Sequence, residues 1–406
     1  MPGKGLKKQQ YRYLSGTIIR IRRNEELINK IEAHGSIDLR AGTDTIHGRA
    51  IIHGYVYPQK NGTGHLNSRV VPRELSIRWL TTHLNLTVGR QVIRWGTADM
   101  LNPTAHFAPP DLSEIVFKDD DEFYQGVHAL SATVIAGDFS LQLVTVPIAT
   151  PTVLPDARGP WSLQFPDTHS VIPVQYLPRK PSLPTRGANI SWGGRFAGTA
   201  GPVDFSFSAY RGVDRDVLLQ PHIDPRLPIP TVYVIPRYRR LTAFGFDIAA
   251  AAGDFTLQAE AAYSFDKHAV EKPSGTGLLR AVIRPTHFVN AAAGVNWLID
   301  GEDFNITLEF NKSIYIEGQF SFIEPYLSDI FVCRVEKKFL RGALITRLQG
   351  LVTIRGDYLL MPAIGYDFLN GLVIETEGGI FGGPRDTLFG SYRSRDILRL
   401  RIKYQF

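Results

Sequence analysis

The sequence predicts an all-β protein: a single antiparallel transmembrane β-barrel of about eighteen strands, with about sixteen as the alternative. Three observations in the 406-residue chain lead to this fold class. Apolar and polar residues alternate with a period of two in many segments, tight turns alternate with long connections, and no apolar run reaches the length of a membrane-spanning helix. Helical membrane proteins are therefore excluded.

The C-terminal segment shows the alternation most clearly. Leu398, Leu400, Ile402, Tyr404 and Phe406 alternate with Arg399, Arg401, Lys403 and Gln405. The same period recurs at 304–311, 255–265 and 203–209. A soluble sandwich shares such alternation, but here the apolar faces end in aromatic residues, as the interfacial girdle of a membrane barrel requires.

Connection lengths predict the topology. Tight turns are expected at 137–138, 253–254, 300–303, 341–342 and 370–371. Long polar or proline-rich connections are expected at 96–122, 147–187, 212–237, 266–286, 317–329 and 382–395. Short and long connections alternate, as periplasmic turns and extracellular loops do in outer-membrane barrels. The short turn at 355–357 is the exception, because it lies on the long-loop side.

Residues 1–14 are expected to be a disordered or tag-like segment, and residues 15–406 to form one barrel domain. The basic stretch Met1–Gln10 contains no apolar segment of a secretory signal, so either the chain is cytosolic or a signal is not part of this sequence.

Composition argues against several kinds of chemistry. The single cysteine, Cys333, cannot form an internal disulfide, and the sequence contains no CxxC or HExxH spacing. The net charge of +6 is scattered along the chain, so no nucleic-acid partner is expected. No enzyme motif, cofactor or metal site is predicted. A rim-located hydrolytic group of His287, Ser264 and Glu260 is kept as an alternative.

Residues 88–103 read VGRQVIRWGTADMLNP, and the chain ends on Phe406. This resembles a group of bacterial outer-membrane barrels, porin-like in outline, with a G-R-Q-x-x-x-W-G strand end, an Asn-Pro loop and a terminal Phe. The resemblance implies a bacterial outer-membrane location more firmly than an activity. A bulge at Gly89 is expected to turn Arg90 and Arg94 inward and leave Ile93 and Trp95 facing lipid, with Arg94 at the rim as the alternative.

Strand parity places charged side chains in the lumen. The predicted pore-lining basic residues are Arg20, Arg22, Arg334, Lys338, Arg347, Arg399, Arg401 and Lys403. The predicted pore-lining acidic residues are Asp247, Glu260, Glu309, Glu375 and Glu377. The cations are expected to form a basic arc with the carboxylates mainly elsewhere, which would bias ion selectivity; mutual pairing of the charges is the alternative.

The proline-rich connection 147–187 is predicted to fold inward as the constriction. Its candidate residues are Arg158, Trp161, Phe165, Tyr176, Arg179 and Lys180. Proline restricts the free loop, which lowers the entropic cost of ordering it. A rigid outward cap is the alternative.

The resemblance and the lumen charges together predict a passive channel for small polar solutes, with anionic solutes favoured. The expected partners are the lipid bilayer, lipopolysaccharide and small polar solutes, with an oligomer or envelope proteins as further candidates. Two other functions stay open: a structural or assembly component of an envelope machine, and the rim-active hydrolase.

Overall fold

The structure of the chain is a computed structural model, and it describes residues 7–23, 26–58, 66–100, 102–114, 118, 120–155, 161–162, 189–224, 231–271, 282–299, 303–316, 329–368 and 370–405. The first nine strands are β1 (Lys7–Arg23), β2 (Glu26–Gly42), β3 (Ile46–Pro58), β4 (Leu66–Leu80), β5 (Leu84–Gln91), β6 (Val127–Ala136), β7 (Phe139–Val146), β8 (Ser191–Ala200) and β9 (Val203–Val213). A hairpin follows, made of β10 (Leu218–Asp224) and β11 (Thr231–Arg237). The last nine strands are β12 (Arg240–Ala252), β13 (Phe255–Val270), β14 (Ile283–Ile299), β15 (Phe304–Ile316), β16 (Ile330–Phe339), β17 (Leu344–Thr353), β18 (Tyr358–Asp367), β19 (Leu372–Gly382) and β20 (Ile397–Gln405).

The strands close into one 18-stranded antiparallel barrel, which confirms the predicted fold class and strand number. Each strand pairs with its neighbours in chain order, except that β9 pairs directly with β12. The first strand pairs with both β2 and β20, so the sheet has no free edge. The β10–β11 hairpin pairs with itself outside the barrel wall.

The barrel starts earlier in the chain than the sequence predicts. β1 begins at Lys7, so the boundary between a disordered segment and the barrel at residue 15 is wrong. Residues 7–10 are polar and basic, yet they pair with β2 from Lys7↔Gly42 onward. Pairing of the backbone in a closed sheet does not require an apolar side-chain pattern at the strand end.

The predicted short turns match the sites where strands reverse. Gly137 and Gly253 each sit in such a turn with φ of 60° and 62°, a conformation that glycine adopts without steric cost. The short turn at 355–357 is confirmed on the long-loop side, where the Gly356 N–H donates to the Thr353 carbonyl at 3.0 Å.

The outer face of the barrel is apolar and carries aromatic residues at two levels. At the short-turn end, Phe255 stacks on Trp297 with ring centroids 5.3 Å apart. At the long-loop end, Phe265 contacts Tyr263 at 4.8 Å and Phe244 at 5.5 Å. Two aromatic girdles around an apolar band are typical of a barrel in a membrane. No helix in the described part of the chain has the length and apolarity that a membrane crossing demands.

Two apolar clusters lie inside the barrel, where they hold inward-folded connections. One is formed by Ile93, Trp95, Phe107, Val127, Ala129, Val144, Val146, Tyr210, Leu241 and Ala243. The other is formed by Trp161, Ile330, Val332, Leu351, Leu359, Met361, Phe381, Phe389, Tyr392 and Ile397. Short helical turns occur at α1 (Asp120–Phe123) and at the 3₁₀ segment Gly390–Tyr392.

Candidate functional site: the lumen and its inner loop

The described residues of the connection from β5 to β6, 92–100, 102–114, 118 and 120–126, fold into the barrel and are called the inner loop below. Its main attachment is Glu260 on the inner face of β13. One carboxylate oxygen of Glu260, Oε2, accepts the backbone N–H groups of Thr97 and Ala98 at 3.0 and 3.1 Å. The other, Oε1, accepts the N–H and the hydroxyl of Thr104 at 2.5 and 2.8 Å. Glu260 is 2% exposed, so the loop's donors replace its hydration.

Glu309 on β15 provides a second attachment of the same kind. Its Oε2 accepts the backbone N–H groups of Asp99 and Met100, both at 3.1 Å. Beside it, the amide of Gln258 donates to Asp99 Oδ2 at 3.0 Å. In the ring of eighteen, β5 is fifth and β13 and β15 are eleventh and thirteenth, so the inner loop reaches the far wall.

Aromatic packing fixes the start of the inner loop against the near wall. Trp95 is 2% exposed, and its indole N–H donates to Gln142 Oε1 at 2.8 Å. Its ring meets Phe107 edge-on at 5.0 Å, and Ile93 is buried in the same cluster. The prediction that Ile93 and Trp95 face lipid is therefore wrong.

The predicted bulge at Gly89 is also wrong. The register runs unbroken through Gly89, which has φ of 123° and would place a Cβ 2.3 Å from the Leu75 carbonyl oxygen. Arg90 keeps the outward parity of its partners Leu75 and His128, and its Nε donates to the Pro72 carbonyl at 2.6 Å. Arg94 belongs to the inner loop, where it donates to the Ala98 carbonyl at 2.7 Å.

A charged group holds the inner loop from the long-loop side. Arg215 donates to the carbonyl oxygens of Asn102 and Ala105 at 2.7 and 2.8 Å. Next to it, the ammonium of Lys267 lies 2.8 Å from Asp214 and 2.7 Å from Asp216.

His106 packs between this charged group and the barrel wall. Its ring stacks on Tyr210 with centroids 5.1 Å apart. Burial, together with the charges of Arg215 and Lys267, lowers the pKa of His106 to about 3. The imidazole is therefore neutral at physiological pH.

Trp161 is the one predicted constriction residue that lies in the described parts of the connection after β7, which are 147–155, 161–162 and 189–190. It is 4% exposed and packs 5.9 Å from Phe381 and 6.1 Å from Tyr392. The Tyr392 hydroxyl donates to the Ser162 carbonyl at 3.2 Å. Because Phe381 has the inward parity of β19, this connection enters the lumen at Trp161. Arg158, Phe165, Tyr176, Arg179 and Lys180 lie outside the described residues.

The wall formed by β17, β19 and β20 carries paired charges, called the wall cluster. Arg347 lies 3.5 Å from Glu375 and 3.4 Å from Glu377, and Arg401 lies 3.5 Å from Glu375. Arg399 forms an ion pair with Glu377. The prediction that the carboxylates lie mainly away from the basic arc is wrong for Glu375 and Glu377. They face inward on β19, in register with Arg401 and Arg399 of β20.

The remaining predicted lumen residues have different surroundings. Arg334 and Lys338 face inward on β16 and form no ion pair among the described residues, and Lys403 has the inward parity of β20. Asp247 is buried and lies 3.2 Å from Arg195. Glu260 and Glu309 accept hydrogen bonds from the inner loop. Arg20 and Arg22 lie in β1, and their side chains are outside the described part.

The hydrolytic group proposed from the sequence does not assemble. Ser264 and Glu260 face the interior of β13, and Glu260 is bound to the inner loop. His287 faces the outer surface, where its Nδ1 lies 3.0 Å from the Tyr263 hydroxyl. The barrel wall therefore separates the imidazole from the other two groups.

Comparison with solved structures shows the same fold. Acinetobacter baumannii OccAB1 matches with a TM-score of 0.57 and 6% identity, over 98% of this chain and 96% of that chain. Pseudomonas aeruginosa OccK2 (OpdF), in complex with glucuronate, matches with a TM-score of 0.54 and 11% identity, over 98% of both chains. The Pseudomonas aeruginosa outer membrane protein OpdK matches with a TM-score of 0.53 and 11% identity, over 98% of both chains. No family model and no curated protein sequence matches the chain.

Proposed function

We propose that the protein is a porin-like channel of the bacterial outer membrane that passes small polar solutes by passive diffusion and favours anions. The observation that carries this proposal is a closed 18-stranded barrel with an apolar outer face and a charged inner wall. A barrel of this strand number encloses a space wider than its side chains can fill.

The charges on one part of the described wall, on β16, β17, β19 and β20, favour anions. Three arginines and two glutamates give the wall cluster a net charge of +1. On the adjacent strand β16, Arg334, Glu336 and Lys338 add a further +1. Glu260 and Glu309 carry negative charge on other strands, but six donors of the inner loop bind them. A fixed positive wall attracts solute anions and repels cations.

The inner loop supplies a constriction in this proposal. It reaches from β5 to β15, and Met100 packs against the apolar cluster around Trp161. A solute crossing the lumen would therefore pass between the inner loop and the wall cluster. The sequence predicted a constriction formed by 147–187 alone. The described contacts instead favour a lumen narrowed by two connections, the inner loop and the one that contains Trp161.

The solute class is a small carboxylate in this proposal. The structures of similar fold include OccK2 with glucuronate and OpdK with vanillate, and both of these ligands carry one carboxylate. Guanidinium groups bind carboxylates with two parallel hydrogen bonds, which gives orientation as well as charge attraction. Lipid contacts the apolar outer face, while lipopolysaccharide, a second copy and envelope proteins are proposed partners.

Planar-bilayer recording tests the channel and its selectivity. The reversal potential in a salt gradient should indicate anion preference, and the double variant Arg334→Glu/Lys338→Glu should shift it toward cations. The shift should shrink at 1 M salt, where the Debye length falls to about 3 Å. Purified protein that folds and gives no conductance would contradict the channel and favour the structural role.

The wall cluster provides the matched comparison for this experiment. Arg399→Glu should lower the stability of the fold, because it would leave Glu377 facing a second carboxylate at a buried position. Its main effect should therefore be on folding and not on ion selectivity. Unchanged selectivity in the Arg334→Glu/Lys338→Glu variant would contradict the assignment of those cations to the solute path.

A further inference from the structure

Residues 105–109 of the inner loop lie against the barrel wall and are called the His106 segment. The His106 ring stacks on Tyr210 of β9 with centroids 5.1 Å apart, and Phe107 meets the same tyrosine edge-on at 4.8 Å. Beside this stack, two spaces of about 300 and 320 Å³, both partly open to water, lie between the inner loop and the wall. His106 borders both spaces, so the packing of this segment on the wall is incomplete.

The chain is fixed at both ends of the His106 segment. Thr104 is bound to Glu260 on the far wall. At the other end, the Pro109 carbonyl accepts the backbone N–H of Gln125 at 3.0 Å. The segment can therefore leave the wall only as a short arch between two fixed points. The lumen is the side toward which such an arch can move, because the wall stands on the other side.

The surroundings of His106 suit a neutral ring. Its Nε2 is buried and forms no hydrogen bond with any residue that the structure describes. The carboxylates of Asp214 and Asp216 border one of the two spaces, but both bind the ammonium of Lys267, at 2.8 and 2.7 Å. An imidazolium donates through both ring nitrogens, so protonation would add a buried donor without adding an acceptor.

The charges that face His106 also oppose its protonation. Burial and the charges of Arg215 and Lys267 hold the pKa of His106 at about 3, whereas Asp216 acts in the opposite direction. Tyr210 supplies no charge, because its hydroxyl is protonated and donates to a backbone carbonyl at 2.7 Å. An imidazole in water has a pKa near 6.5, so acid favours the state in which the ring has left the wall.

We propose that the His106 segment is an acid-sensitive gate: protonation of His106 releases the segment from the wall into the lumen, where it narrows the solute path. Three cations, the imidazolium, Arg215 and Lys267, would otherwise lie side by side with two carboxylates that already share one ammonium. The two spaces beside the ring admit the water that the released ring needs. This inference rests on the proposed function, because it concerns passage through the lumen.

Thiol labelling of Ala105→Cys in a Cys333→Ser background measures the release without relying on conduction. Ala105 is 0% exposed, so a thiol there reacts only when the segment leaves the wall. The reagent is a pyridyl disulfide, which reacts with thiols in acid as well as at neutral pH. Thr82→Cys, in the exposed turn after β4, gives the intrinsic rate at each pH. The corrected labelling rate should rise about 100-fold from pH 7.5 to 4.5, as a pKa near 3 in the docked state and 6.5 in the released state requires.

Two histidine variants in the same background assign the acid response. His106→Phe keeps a ring for the stack and cannot take up a proton, so its corrected rate should change by less than about threefold. His83→Phe, at an exposed position, should keep the full response. A rise in His106→Phe equal to that of the original protein would assign the release to Glu260 and Glu309 and overturn the proposal. A corrected rate that does not rise in the original protein would overturn it too.

Planar-bilayer recording tests whether the release narrows the channel. The fraction of time spent at full conductance should fall from pH 7.5 to 4.5 in the original protein and should stay constant in His106→Phe. Unchanged conductance in a protein whose labelling responds to acid would overturn the gate. Protein that shows the acid-dependent labelling and conducts at neither pH would contradict the channel itself, while supporting the release of the segment.

Discussion

Oε1 of Glu260 accepts both the backbone N–H and the hydroxyl of Thr104, at 2.5 and 2.8 Å. The other oxygen of the same carboxylate accepts the N–H groups of Thr97 and Ala98. One buried side chain on the far wall thus fixes both ends of the segment 97–104. The position of the inner loop is determined by the barrel wall as much as by the loop itself.

Glu260→Gln should release this segment. An amide has one acceptor oxygen, so its NH₂ group would face either Thr104 or the 97–98 amides and leave them unpaired. We expect a loss of about 1.5–3 kcal/mol in the free energy of unfolding, measured by denaturant titration. Glu336→Gln, an inward carboxylate away from the inner loop, is the control. An equal loss in both variants would contradict the attachment.

Gly96→Ala should disturb the same contact from the loop side. Gly96 has φ of 97°, and a Cβ there would lie 2.2 Å from Oε2 of Glu260. Gly137→Ala is the matched control, since Gly137 also has positive φ but no described atom lies within 4 Å of its Cβ. The free energy of unfolding of the control should fall by about 1–2 kcal/mol, from backbone strain alone. That of Gly96→Ala should fall by more, and its inner loop should also be cleaved faster by protease.

The alternation of apolar and polar residues predicts which side of the barrel wall a side chain faces, but not which groups it contacts there. In β20, Leu398 is 54% exposed and Arg399 is 6% exposed, as a period of two requires. Glu260 and Glu309 likewise face inward as predicted. Their partners are backbone amides from a loop more than a hundred residues earlier, and no local pattern encodes such a contact.

The sequence predicts that the strand carrying Glu375 and Glu377 is a neighbour of the strand that carries their arginine partners. A short turn at 370–371 joins β19 to the preceding strand, and the next connection returns the chain as β20. Adjacent antiparallel strands place Glu377 opposite Arg399 and Glu375 opposite Arg401. The predicted strand order makes these two strands neighbours, whereas the register across the long connection is seen only in the structure. The inward position of Trp95 could not be predicted from the sequence, because the alternation of inward and outward residues ends where β5 ends at Gln91.

Leu308→Arg tests which face of β15 meets lipid. Leu308 is 46% exposed on the outer face, and a cation near the bilayer midplane of a barrel costs about 2–4 kcal/mol. We expect a loss of this size in the free energy of unfolding, measured for the protein in lipid vesicles. Arg334→Leu, on the inner face of the next strand, should fold with nearly unchanged stability. Equal tolerance at both positions would contradict the membrane placement.

Acid should weaken the docking of the inner loop through His106. Its pKa is about 3 in the folded protein, below the ordinary value of 6.5, so folding favours the neutral imidazole. The contribution to stability is therefore complete above pH 6.5 and is lost as the pH falls toward 3. The unfolding temperature should fall less steeply from pH 7.5 to 4.5 in His106→Gln than in the original protein. His83→Gln, at an exposed position, should leave the slope unchanged.

Trp161→Ala tests whether the connection after β7 narrows the lumen. The indole is 4% exposed between Phe381 and Tyr392, so truncation removes the described apolar contact that holds this connection to β19. The barrel strands pair without it, because the ring of backbone hydrogen bonds is closed independently. We expect larger single-channel conductance and more open-channel noise, with the fold retained on heat-modifiable electrophoresis. Trp79→Ala, at an outward position 45% exposed, should leave conductance unchanged. If Trp161→Ala conducts as the original protein does, the narrowing belongs to the inner loop alone, and Met100 and Glu309 would then be the residues that limit the solute path.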